Sequence, residues 1–222
     1  GGGGGGGGGQ GTRKMAAETG AVAVAVAAGD AAAAAPRRRP KAWVLSPYDA
    51  GSHAAFVRSI AAAAEAAEAK AWDVAAVTMR GKKWGWRLRA AAMRWAQTLP
   101  EVDPADAVVA TSMLNLAELV ALRRDVAAPT VRKVLYFHEN QVAYPRRAEV
   151  LEKHAERDYY FAHAQIASCL VADVVAFNSQ WNLESFVGGL RAHFKSIPVE
   201  ADARPDAELI ASQIRAKSVV LL

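Results

Sequence analysis

Three polar side chains stand together where an apolar run stops: His138, Glu139 and Asn140, within Tyr136-Phe137-His138-Glu139-Asn140-Gln141. An imidazole, a carboxylate and an amide at one strand end can hold a polar substrate and carry a proton. The same residues can also do no more than satisfy a strand-to-loop turn, so the motif alone leaves both readings open. Asn178-Ser179 is a second polar strand end, expected to face the same crevice. A third candidate is the turn Tyr48-Asp49-Ala50-Gly51-Ser52-His53. Gly51 there would let backbone N–H groups approach an anion at a helix N-terminus, and Ser52 would be placed to cap that helix. A turn and a cap are the simpler local reading of Gly51 and Ser52. His53, in the first helical turn, is expected to point toward the crevice of His138.

The stretch Arg80 to Arg94 has a different character. From Val74 to Pro100 there are six basic residues and no acidic one, with Trp84, Trp86 and Trp95 interleaved. Lys82, Lys83 and Arg87 suit phosphate, and the indoles of Trp84 and Trp86 suit exposed bases, so RNA contact is the expectation. The competing reading is a solvated basic loop whose tryptophans pack on the domain. His163 and Gln165 share a helical stretch with Tyr159, Tyr160 and Phe161. There a half-buried, structurally satisfied histidine is expected. Phe177, Trp181 and Phe186 read as core.

The elements that must position these residues alternate along the chain. Strands are predicted over 42–47, 74–79, 107–111, 131–137 and 174–178, and helices over 52–70, 88–98, 114–123, 148–171 and 182–194. The first helix carries Phe56, Val57, Ile60, Ala64 and Ala67 on one face, the spacing of a helix packed on a sheet. Such alternation predicts an α/β fold, a parallel sheet with helices on both faces, whose ligands sit beyond the carboxyl ends of the strands. Residues 217–222 read as a further strand, expected to open a second domain or a linker. No GxGxxG fingerprint follows the first strand, which argues against a nucleotide-dependent oxidoreductase.

Composition narrows the remaining classes. Residues 1–40 open with nine glycines, continue as an Ala/Val tract and close on Pro36-Arg37-Arg38-Arg39-Pro40, so a low-complexity, disordered tail is expected there. That tail holds +3 of the total net charge of +5, so the basic pI is weak evidence for nucleic acid by itself. The Ala/Val run over 21–28 is too short to span a bilayer, and no membrane partner is expected. The single cysteine, Cys169, cannot form an intramolecular disulfide and cannot supply a multi-cysteine metal site. It fits a reducing compartment, with the cytoplasm as the expected location and the nucleus as a second.

Taken together, the segments resemble the N-terminal half of the tRNA-queuosine mannosyltransferases. The matching stretches are DAGSH (49–53), KKWGWRLR (82–89), AQTLP (96–100), TSMLNLAELVALR (111–123), KVLYFHENQVAYP (133–145) and ERDYYFAHAQIASCLVADVVAFNSQWNLESF (156–186). They run in order across nearly everything from Trp43 to Phe194. One departure is Ala50, where the family usually carries a second glycine.

The resemblance implies the N-terminal, acceptor-side Rossmann-like domain of a GT-B glycosyltransferase, spanning 41–216. It implies GDP-mannose as donor, the queuosine base of tRNA-Asp as acceptor, retained sugar configuration, and no metal or other cofactor. The donor-binding half, with its paired-glutamate motif, is expected to lie outside this sequence. In that frame His138 is the expected catalytic residue, and His53, Glu139, Asn140 and Asn178 are expected to contact the acceptor. Gly51 and Ser52 would lie near the donor phosphates, and Lys82, Lys83, Trp84, Trp86 and Arg87 would contact tRNA. The alternative is a non-catalytic tRNA-binding module.

Overall fold

A computed structural model describes residues 38–67, 71–144 and 148–221, without the side chains of 148–158. The expected tail over 1–37 lies outside the described residues. Residues 38–40, also assigned to that tail, run directly into the first strand. Arg38 pairs there with Asp106 at 2.9 Å and Arg39 with Asp73 at 2.9 Å.

Six strands form one parallel sheet: β1 (Lys41–Asp49), β2 (Asp73–Arg80), β3 (Ala107–Thr111), β4 (Arg132–Phe137), β5 (Val174–Phe177) and β6 (Ser218–Val220). Their spatial order is β2-β1-β3-β4-β5-β6. The helices are α1 (Gly51–Ala66), α2 (Trp84–Thr98), α3 (Leu116–Leu122), α4 (Arg124–Ala127), α5 (Ala148–Val171), α6 (Gln180–Lys195) and α7 (Ala207–Arg215). The expected α/β, Rossmann-like architecture is therefore the one observed.

Alternation along the strands divides the core. Trp43, Leu45, Val108, Leu135, Phe137 and Phe177 point to the face covered by α2, α3, α5, α6 and α7. Val44, Val109, Val134 and Tyr136 point to the opposite face, where α1 packs through Phe56, Val57 and Ile60. Period-two alternation assigns each strand residue to one layer, and the parallel register keeps neighbouring layers continuous.

Three details differ from expectation. Residues 218–220, expected to open a further domain or linker, pair in parallel with β5 and are the sixth strand of this sheet. Helix α7 was not expected, although Asp206 caps it through the N–H groups of Glu208 and Leu209 and Ile214 is fully buried. Ala67, counted on the apolar face of the first helix, lies past the helix end and is exposed.

The sheet order places the direction switch between β1 and β3. The loops leaving β1, β3, β4 and β5 therefore gather along one carboxyl edge, where open parallel sheets bind ligands.

Candidate active site at the carboxyl edge

His138 is the first residue past β4. It continues the alternation of Val134 and Tyr136, so its ring turns to the α1 side of the sheet. His53, in the first turn of α1, meets it there, with ring centroids 4.2 Å apart. Phe56 and Tyr136 complete an aromatic wall at 5.0 and 4.7 Å from the His138 ring, and stack on each other at 3.9 Å. The expected convergence of His53 and His138 is thus present.

This setting governs their protonation. Burial lowers the His53 pKa to about 4, and burial together with the neighbouring His53 charge lowers that of His138 to about 3. Both rings are neutral at physiological pH, and a neutral imidazole can donate a hydrogen bond and accept one. Among the described residues, His53 Nδ1 and His138 Nε2 are buried without a hydrogen-bond partner. The Thr111 hydroxyl, at the end of β3, is in the same condition. A ligand hydroxyl meeting one of these nitrogens would recover about 1–3 kcal/mol of desolvation penalty.

Beside this pair lies a cleft of about 240 Å³ lined by His138, Glu139, Asn140, Tyr144, Asn178 and Trp181, among others. Three asparagines fix its floor. Asn140 donates to the Asn182 side chain at 2.7 Å and accepts from the Ala143 N–H at 2.7 Å. Asn182 donates to Asn178 Oδ1 at 2.8 Å, and Asn178 donates to the His138 carbonyl at 2.8 Å. Asn140 and Asn178 therefore line the cleft as expected, yet much of their polar capacity is spent in holding the loop after β4. Gln165 holds the same loop from α5, accepting from the Gln141 N–H at 2.7 Å and donating to the Ser112 carbonyl. Glu139 lines the cleft, and burial raises its pKa.

Gly51 has φ +53°, a left-handed conformation that disfavours any side chain. Ser52 does not cap α1: the N-cap is Ala50, which makes no side-chain cap bond, and Ser52 is exposed one residue inside the helix. The first turn thus presents backbone N–H groups next to His53.

The basic strip leaves the same edge of the sheet. Gly81 follows β2 and abuts the β1 loop so closely that a Cβ there would sit 2.9 Å from the Asp49 carbonyl oxygen. Lys82 and Lys83 are exposed, and Arg87 turns back toward Met79. The tryptophans divide: Trp95 is core, Trp84 is 38% exposed and leans on Phe161 at 4.7 Å, and Trp86 is 70% exposed. Arg89 sits over the rings of Phe161 and Tyr160, locking the strip to α5.

Two side chains depart from their expected settings. Trp181, read as core, is 71% exposed at the cleft, because Ser179 starts α6 so that position 181 points away from the sheet. His163, expected to be half-buried, is exposed on α5. Tyr144 and Asn182 were missed as cleft residues. The Ser179-x-x-Asn182 spacing of an N-cap was the available signal for Asn182, and Tyr144 had none.

Among the described residues there is no group of three or more His, Cys, Asp or Glu placed to hold a metal ion. None of the described helices is long and apolar enough to cross a membrane.

Comparison with known proteins gives two findings. Residues 41–222 match the family described as tRNA-queuosine alpha-mannosyltransferase N-terminal. A tRNA-queuosine alpha-mannosyltransferase of Drosophila melanogaster is 35% identical over 185 residues, covering 82% of this chain and 44% of the relative. The chain thus spans less than half the length of that relative.

Proposed function

The chain belongs to the tRNA-queuosine alpha-mannosyltransferase family, and from that premise we propose that it forms the acceptor side of a retaining GT-B glycosyltransferase. The reaction moves mannose from GDP-mannose to the queuosine base of tRNA-Asp, with the nucleotide held mainly by a second domain. The observation that carries this reading is the position of His138, a neutral imidazole with an unpartnered buried nitrogen, in the lining of the cleft.

Neutral His138 hydrogen-bonds the transferred sugar or the acceptor hydroxyl and orients it for attack at the anomeric carbon. A neutral ring serves this role better than a cation, because it can both donate and accept. The first-turn N–H groups at Gly51 and Ser52 lie where the departing diphosphate gathers negative charge, and a helix N-terminus stabilises that charge. Lys82, Lys83, Arg87 and Trp86 hold the tRNA along the same edge, and Trp84 supports the strip from beneath. The cytoplasm, with the nucleus as a second compartment, is where this tRNA chemistry would operate.

Radiolabelled GDP-mannose and queuosine-containing tRNA, incubated with the chain and with a version extended through a donor domain, test the reading. Transfer by the extended protein, much reduced by His138→Ala with tRNA affinity kept, is the expected result. Equal losses of turnover and affinity would remove the catalytic role of His138. Bound tRNA without transfer by either protein would favour the binding module, a reading that the exposed Trp86 and its flanking lysines also support.

A further inference from the structure

Two aromatic side chains at the cleft have no part in the roles assigned so far. Tyr144, in the loop after β4, is 50% exposed, and Trp181, in the first turn of α6, is 71% exposed. Single exposed aromatics are ordinary on a protein surface. Here two of them line one cleft whose floor is polar and fixed.

The floor restricts what they can recognise. Asn140, Asn178 and Asn182 are bonded mainly to one another and to the loop backbone. The side chains left to address a ligand are Glu139 and His138, a hydrogen-bond acceptor beside a neutral imidazole. Aromatic rims beside one carboxylate acceptor and a neutral imidazole suit a flat unsaturated ring that carries hydroxyl groups. Inside a duplex both faces of a base are covered, so such a ring must come from an unstacked loop position. The basic strip on the same carboxyl edge makes the ligand part of a polyanion rather than a free nucleoside.

We propose that Trp181 and Tyr144 are the stacking walls that receive the unstacked acceptor base of an RNA loop, while Glu139 accepts a hydrogen bond from a hydroxyl on that base's substituent. This assignment rests on the tRNA reading above and adds the residues that take the base itself. Trp181 supplies the larger ring and the greater share of the contact. Because it is exposed, its removal leaves the core intact.

The test uses the 222-residue chain and an RNA hairpin with 2-aminopurine at the acceptor position, a base whose fluorescence is quenched by stacking. At saturating protein the wild-type complex is quenched. Trp181→Ala gives a bright complex and about tenfold weaker binding, as expected for one lost base–aromatic stack, and Trp181→Tyr restores the quench. The Lys82→Glu/Lys83→Glu variant binds more weakly, yet its saturated complex stays quenched. A Trp181→Ala complex as dark as wild type overturns the stacking assignment and leaves the tRNA reading standing. A hairpin that wild type does not bind even at low salt overturns both.

Discussion

The buried histidine pair makes this domain sensitive to mild acid, beginning above the pH at which unperturbed carboxylates titrate. Burial lowers His53 to about 4, and burial plus the His53 charge lowers His138 to about 3, against ~6.5 for an unfolded histidine. Because both folded values lie below the unfolded one, the unfolded chain takes up protons first as pH falls. The stability held by the pair is complete above about pH 6.5 and declines steadily toward pH 4. At ~1.4 kcal/mol per pH unit, moving from about pH 7.5 to 5.0 removes about 2 kcal/mol per ring. Glu139 and Glu118, raised by burial, gain stability on acidification and offset part of this loss. Urea unfolding followed by tryptophan fluorescence measures the net effect. With m near ~2 kcal/mol/M, each ring shifts the midpoint by about 1 M between the two pH values. His53→Phe and His138→Phe keep a ring in place without a titrating nitrogen, and each should flatten the pH dependence by its share. A wild-type midpoint that is the same at both pH values would refute the reasoning, as would variants that keep the full slope.

Other perturbations address the frame around the pair. Asp125 is held to about 2 chiefly by its bond from Arg123, with burial opposing and the Val102 N–H assisting, so its contribution is full above about pH 4 and lost toward pH 2. Asp125→Asn should lower stability at neutral pH by about 2 kcal/mol and flatten the acid limb seen by circular dichroism. Gly81→Ala places a Cβ 2.3 Å from Ala50 Cβ and should lower Tm by about 5 °C in calorimetry, whereas Gly85→Ala, 3.1 Å from the tip of the Phe161 ring, should shift it less. Asn182→Ala removes the nearest acceptor of the Asn140 amide, leaving Ser185 Oγ at 3.1 Å, and should destabilise by about 1 kcal/mol. Hydrogen exchange should then accelerate at the amides from His138 to Ala143, and unchanged protection there would show that the loop is held by other means.

Much of the fold was legible from local pattern. Strand β3 and helix α5 fall on the predicted bounds, 107–111 and 148–171, because alternation and helical periodicity act within one element. The meeting of His53 and His138 followed from placing His138 just past one strand and His53 in the first helical turn after another. The miss at α7 was a missed cap, since Asp206 before Ala207-Glu208-Leu209-Ile210 is a recognisable helix start. Residues 218–220 were assigned elsewhere because β pairing across the chain leaves no local mark: the partner of Val219 is Ala176.

The sequence by itself determined the order of strands and helices and the chemical types gathered at the carboxyl edge, since both are written in short-range periodicity and in where polarity begins. Only the tertiary structure decided what those side chains do there. Asn140 is drawn into a bonded triad by Asn178 and Asn182, while Trp181, an apolar residue one place before Asn182, is turned outward. Sheet order brings the loops of β4 and β5 side by side, and the buried amides of Asn140 and Asn182 find their partners in one another and in Asn178. The helix phase set at Ser179 then leaves position 181 no face of the core to cover.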